Sequence, residues 1–139
     1  MDVVLDTNVL IVAISSRSKY RPIFDSFLKE EITLCATSDI LIEYEEIIGR
    51  YLGKQLATNI LQIIENAPNV RWITRYYKWN LIKDDPDDNK FVDCAIASNA
   101  RFLVSNDKHF QVLSNIEFPS VNLVDAKAFL EELNHKQSP

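Results

Sequence analysis

Glycine is scarce in this chain. Two residues of 139, Gly49 and Gly53, are all it has, and no run of Ser, Pro and Gly is long enough to separate two domains. At this length a single domain over residues 1–134 is expected, with 135–139 as a frayed C-terminal tail. Cysteine is equally sparse: Cys35 and Cys94 lie far apart in apolar runs, which reads as two buried thiols in a reducing compartment. No apolar run approaches the roughly 18 residues of a membrane span. The N-terminus, Met-Asp-Val-Val-Leu-Asp, lacks the basic region that opens a secretory signal, so a cytoplasmic protein without membrane attachment is expected. Positive charge is also in short supply. Fifteen Lys and Arg face twenty Asp and Glu, for a net charge of −5, which argues against a nucleic-acid partner held on a broad basic face.

What is present is an ordinary globular composition, 47% apolar and 25% charged. Short apolar runs alternate with helical patterns. Val3-Val4-Leu5, Thr33 to Ala36, Val70 to Ile73, Phe102 to Ser105 and Val121 to Val124 read as strands. Between them fall helices from Val9 to Ile14, from Pro22 through Leu28, after a Thr37 or Ser38 cap, from Leu56 to Glu65, from Asn89 to Asn99, through Val112-Leu113, and from an Asp125 cap to near Leu133. Strands apolar on both faces, alternating with helices, indicate a three-layer α/β/α sandwich around a parallel sheet of four to five strands. In such sheets ligands bind beyond the carboxyl ends of the strands.

Carboxylates collect at that edge. Asp6 follows the first strand, Asp107 follows the fourth, Asp88 enters the helix before the fourth, and Glu43 lies early in the helix after the second. Asp93, five residues past Asp88, is offset around its helix but within reach of the same cleft. Any one of these acids is as readily a helix cap or a solvated loop residue. Four together are expensive without a counter-charge, because like charges raise one another's pKa. Hard divalent cations, Mg²⁺ or Mn²⁺, supply it, and two such ions support phosphodiester hydrolysis.

Three segments carry a resemblance. Asp6-Thr7-Asn8-Val9-Leu10 looks like the start of the PIN-domain ribonucleases. Asp85-Pro86-Asp87-Asp88-Asn89-Lys90-Phe91 with Ala95, Ala97 and Ala100, and Phe102-Leu103-Val104-Ser105-Asn106-Asp107 with Lys108-His109-Phe110, are similar to one branch of that family. That branch contains VapC-like toxin components of toxin–antitoxin modules. The resemblance implies the same three-layer fold and metal-dependent cleavage of single-stranded or loop RNA. It places metal-binding acids at Asp6, Glu43, Asp88 and Asp107, with Asp93 as an additional ligand, and leaves open which of Asp88 and Asp93 binds directly. Glu45 and Glu46 offer other registers for Glu43, but helix spacing favours Glu43. A small antitoxin laying a peptide along the cleft is the implied partner. Apolar residues in excess between Ile40 and Glu65 point to an interface, and a homodimer fits them.

Around the acids, Thr7 or Asn8 can orient Asp6, although Asn8 can equally cap the first helix. Ser105 and Asn106 can contact a bound water or a phosphate, or simply be solvated. His109, two residues past Asp107, can serve as a general acid or phosphate contact but is set aside as a surface residue, and Cys94 as packing. Arg17, Lys19 and Arg21 leave the sheet beside Asp6 and are the expected RNA contacts. Arg71, Arg75, Lys78 and Lys83 flank an aromatic run in which Trp72 reads as packing, while Tyr76, Tyr77 and Trp79 divide between packing and base stacking. Two readings compete with the nuclease. A phosphoryl-accepting domain of receiver or phosphatase type wants a second acid beside Asp6, where Thr7 and Asn8 stand. A catalytically silent binding domain of the same fold would have lost acids that this chain keeps. Two divalent ions would move the charge from −5 to about −1, so the acidic total does not exclude RNA.

Overall fold

The computed structural model describes residues 1–74 and 76–137, with side chains to 135. Arg75 of the basic run and residues 138–139 of the expected tail lie outside the described residues. Short segments with three apolar residues each make the first two strands, β1 (Asp2–Leu5) and β2 (Thr33–Ala36). Between them lie α1 (Thr7–Ile14) and α2 (Arg21–Leu28). Next come α3 (Ser38–Leu52), α4 (Lys54–Asn66) and β3 (Val70–Trp72). A 3-10 turn (Pro86–Asp88) leads into α5 (Asn89–Ser98) and β4 (Phe102–Val104). A 3-10 stretch (Lys108–Asn115), β5 (Leu123–Val124) and α6 (Ala126–Gln137) complete the chain. Thr37 caps α3 by accepting from the Ile40 N–H at 3.2 Å, and Asp125 caps α6 by accepting from the Ala128 N–H at 2.7 Å. Gly53 joins α3 to α4 at φ 98°, a conformation that side-chain-bearing residues rarely adopt.

All neighbouring strands run parallel, in the order β3-β2-β1-β4-β5. Val3 and Val4 are consecutive and point to opposite faces, yet both are fully buried, so both faces of the sheet are covered. This is the expected three-layer α/β sandwich. Connections leave β1 in one direction and β4 in the other. The crevice where a parallel sheet reverses its strand order is where such folds bind ligands, and here it opens between Asp6 and Asp107.

Several boundaries differ from expectation. α1 begins at Thr7, directly after β1, so Asn8 falls inside its first turn, exposed, and is not its cap. β5 keeps only two residues, and α6 continues past Leu133 to Gln137. Trp72 lies on the edge strand β3 and is 42% exposed, so it is not the packing residue expected. No helix among the described residues is long and apolar enough to cross a membrane.

Candidate active site

Asp6 is fixed from three sides. Its N–H donates to the Val104 carbonyl at 2.9 Å, which ties it to β4. The preceding Leu5 carbonyl accepts from the hydroxyl of Tyr44, a fully buried residue of α3, at 2.5 Å. Its Oδ2 accepts from the Ser105 hydroxyl at 2.8 Å. Asp6 occupies the N-cap position of α1, yet its side chain makes no capping bond, so the carboxylate is left for the crevice. It is buried, and burial is the main force pushing its pKa from 3.8 up to about 6; Glu43 and Asp107 push the same way, against the bonds from Ser105 and the Thr7 backbone.

Ser105 serves two acids, because its Oγ also accepts from the Asp107 N–H at 3.0 Å. Asp107 in turn accepts from the His109 N–H at 2.9 Å, which opens the 3-10 stretch. Glu43 comes in from α3. The Thr7 hydroxyl donates to its Oε2, and Lys90 Nζ lies 2.7 Å from its Oε1. Asp88 enters from the start of α5 with its side chain only 13% exposed. Burial first, then repulsion from Asp85, Asp107 and Asp6, raises its pKa from 3.8 to about 7, with His109 opposing. Together Asp6, Glu43, Asp88 and Asp107 line one cleft of about 250 Å³.

Not every expected residue arrives. Asp93 is buried on another side of α5, where its Oδ1 accepts from the Trp79 N–H at 3.1 Å, and it lines a separate hollow with Asp39, Tyr76 and Lys78. The helical offset between Asp88 and Asp93 therefore separates them, and it is Asp88 that lines the acidic cleft. Glu45 and Glu46 face the hollow between α3 and α4 instead of the cleft. Asn106 caps α6, accepting from the Ala126 N–H at 2.9 Å. Arg17 and Lys19 are exposed, whereas Arg21 donates to the Ile14 carbonyl at 2.5 Å and pairs with Asp25 at 2.9 Å. Tyr77, Trp79 and the exposed Phe118 stack edge to face, with centroids 4.8 and 6.1 Å apart.

Sequence reasoning left several residues of the cleft out of the site: Asp85, Asp87, Ile47, Arg50 and Tyr51 line it, while Lys90 and His109 touch its acids Glu43 and Asp107 from adjoining hollows. The α3 residues were detectable, since Ile47 and Arg50 repeat the Glu43 face at helical spacing. No spacing rule reveals His109, which a 3-10 turn swings back toward the acids. The donor set suits a hard divalent cation: four carboxylates, two of them above their ordinary pKa, and one shielded oxygen, Asp88 Oδ2, with no hydrogen-bond partner.

A parallel sheet with acids gathered at its switch point defines an α/β domain with an acidic cleft suited to a divalent cation. The chain belongs to the PIN-domain family, whose model matches residues 2–109. Among curated proteins none matches significantly. Solved structures of the same fold include VapBC2 from Rickettsia felis bound to a DNA fragment from its promoter, at 21% identity and TM-score 0.61, over 90% of this chain and 98% of that one. DNA-bound VapBC from Salmonella typhimurium matches at 16% identity and TM-score 0.60, over 91% and 98%. VapC20 of Mycobacterium tuberculosis, a sarcin-ricin-loop-cleaving toxin, matches at 10% identity and TM-score 0.56, over 78% and 92%.

Proposed function

We propose that the protein is a divalent-metal-dependent endoribonuclease and the toxin of a toxin–antitoxin module, acting in the cytoplasm with a small antitoxin as partner. The observation that carries this reading is the convergence of Asp6, Glu43, Asp88 and Asp107, from four separate elements, on one cleft at the sheet's switch point. Mg²⁺ or Mn²⁺ bound there supplies the positive charge that favours attack of water on a phosphodiester and balances the leaving oxygen. Asp6 and Asp88 act as ionised oxygen donors. Ser105 holds Asp6 and the Asp107 backbone in register, and Thr7 orients Glu43. Lys90 balances Glu43 when no cation is bound. Arg17 and Lys19, exposed on the loop that leaves α1, take the RNA backbone; Arg21 shapes that loop from within.

Support for the toxin role comes from the fold shared with VapBC complexes. The test is cleavage of single-stranded and loop RNA with and without EDTA, for the wild type and Asp6→Asn. Metal-dependent cutting that Asp6→Asn abolishes is expected. Full activity in that variant, or in EDTA, would refute the assignment.

A further inference from the structure

One donor at the edge of the cleft, lining the adjoining hollow, is not explained by the four acids. The 3-10 stretch turns the His109 ring back so that Nδ1 stands 3.3 Å from Asp107 Oδ1, 3.8 Å from Asp88 Oδ2 and 3.9 Å from Asp85 Oδ2. Both Nδ1 and Asp88 Oδ2 are shielded from solvent, and neither has a hydrogen-bond partner. A proton on Nδ1 would thus meet no properly directed acceptor, and a bare lone pair would face carboxylate oxygens. A cation coordinated by both atoms removes both mismatches. Asp85, Asp88 and His109 can each present one ligand atom, all within 4.8 Å of one another. Ligands on opposite sides of a small octahedral dication lie about 4 Å apart, so modest side-chain rotation closes the set.

We infer that Asp85, Asp88 and His109 form a nitrogen-containing subsite at the Asp107 end of the cleft, which holds a first-row transition-metal dication in preference to Mg²⁺. The inference rests on the metal-dependent reading of the cleft, since Asp88 serves both, but it concerns which ion binds and through which atom. Mg²⁺ demands oxygen donors and gives up its water reluctantly. An imidazole nitrogen favours transition-metal ions, so exchanging one oxygen donor for His109 tilts the site away from Mg²⁺.

Mn²⁺ is the probe. The chain has two histidines, His109 and His135, so nitrogen coupling to bound Mn²⁺, read by pulsed electron paramagnetic resonance on untagged full-length protein, has one competing source. The coupling should be present in the wild type and in His135→Ala, and absent from His109→Ala and His109→Gln. Both His109 variants should bind Mn²⁺ about 10- to 100-fold more weakly, with Mg²⁺ affinity, measured by competition, changed by much less. Mn²⁺ bound to the wild type without nitrogen coupling would overturn the subsite while leaving the nuclease reading intact, and so would equal Mn²⁺ affinity in the His109 variants. A wild type that binds neither cation would overturn both.

Discussion

Replacing Asp88 with Asn should make the metal-free protein more stable, not less, at alkaline pH. The carboxylate is forced to ionise in a shielded position beside Asp85, Asp107 and Asp6, and its pKa stands at about 7 instead of 3.8. At about 1.4 kcal/mol per pH unit, that rise corresponds to about 4 kcal/mol of unfavourable charge in the folded state above pH 8. Solvent screens little of it, because the side chain is only 13% exposed. An amide of the same shape removes the charge but leaves shielded polar atoms in want of partners, at about 1–3 kcal/mol. The net gain expected is about 1–3 kcal/mol, or about 3–10 °C in Tm for a chain of this size.

The pH dependence supplies an internal control. A raised carboxylate pKa means that between about pH 4 and pH 7 the folded protein keeps a proton that the unfolded chain has lost. Metal-free wild type therefore loses stability as pH rises through that window and levels off above it. At pH 5 the Asp88 carboxyl is already neutral and the advantage of Asn should vanish. Thermal unfolding in EDTA at pH 5 and pH 8 measures this. In millimolar Mn²⁺ the order should reverse, because the wild type binds the ion and the variant loses a donor. Destabilisation by Asp88→Asn of equal size at both pH values in EDTA would refute the reasoning.

Other outcomes follow from the same geometry. Mn²⁺ affinity should fall as pH drops through about 7 and further through about 6, as Asp88 and then Asp6 take up the protons that compete with the ion; calorimetric titration from pH 5 to pH 8 checks it. Ser105→Ala removes the bond to Asp6 Oδ2 and the acceptor of the Asp107 N–H, so metal affinity should drop about 10- to 100-fold with the fold preserved by circular dichroism. Gly53→Ala should cost about 1 kcal/mol in urea unfolding, because nothing crowds the new Cβ and only the φ of 98° opposes it.

The layers and most strands were readable because the two periodicities do not overlap: Thr33–Ala36 and Phe102–Val104 are too short and too apolar for helices, and the stripe from Ile40 to Ile48 is too long for a strand. Strand ends pointed to Asp6 and Asp107, while Glu43 and Asp88, carried on helix starts, also needed the resemblance; all four line one cleft. Asp93 shows where that reasoning stops. Acids five positions apart lie on different sides of a helix, and which one faces the crevice depends on the phase set where α5 starts, a boundary that composition does not fix. Arg21 and His109 exchange their expected places for a related reason. A carbonyl left free at the end of α1 captures the arginine, and a 3-10 turn, tighter than an α-helix, aims the histidine inward. Trp72 misleads because burial of a strand residue depends on whether its strand is central or at the edge, and order in the sheet is not written in a single strand.

The net charge of −5 also finds its place in the structure, and it carries a last prediction. Six acids, Asp6, Glu43, Asp85, Asp87, Asp88 and Asp107, line the one cleft. Without them the chain would hold fourteen acids against fifteen bases, so its acidity belongs largely to the site and the remaining charge is nearly balanced. Under the ribonuclease reading, overall charge then offers RNA no large basic excess. Arg17 and Lys19 are the exposed cations on the loop after α1, and two phosphate contacts on single-stranded nucleic acid give a slope of about −1.4 for log K against log of the monovalent salt concentration. The measurement is RNA binding to Asp6→Asn across a KCl series, with the divalent ion held constant. A shallow slope that flattens further in the double variant Arg17→Ala, Lys19→Ala is expected. A slope of about −4 or steeper would mean that six or so phosphates are neutralised, and the local mode of recognition would have to be abandoned.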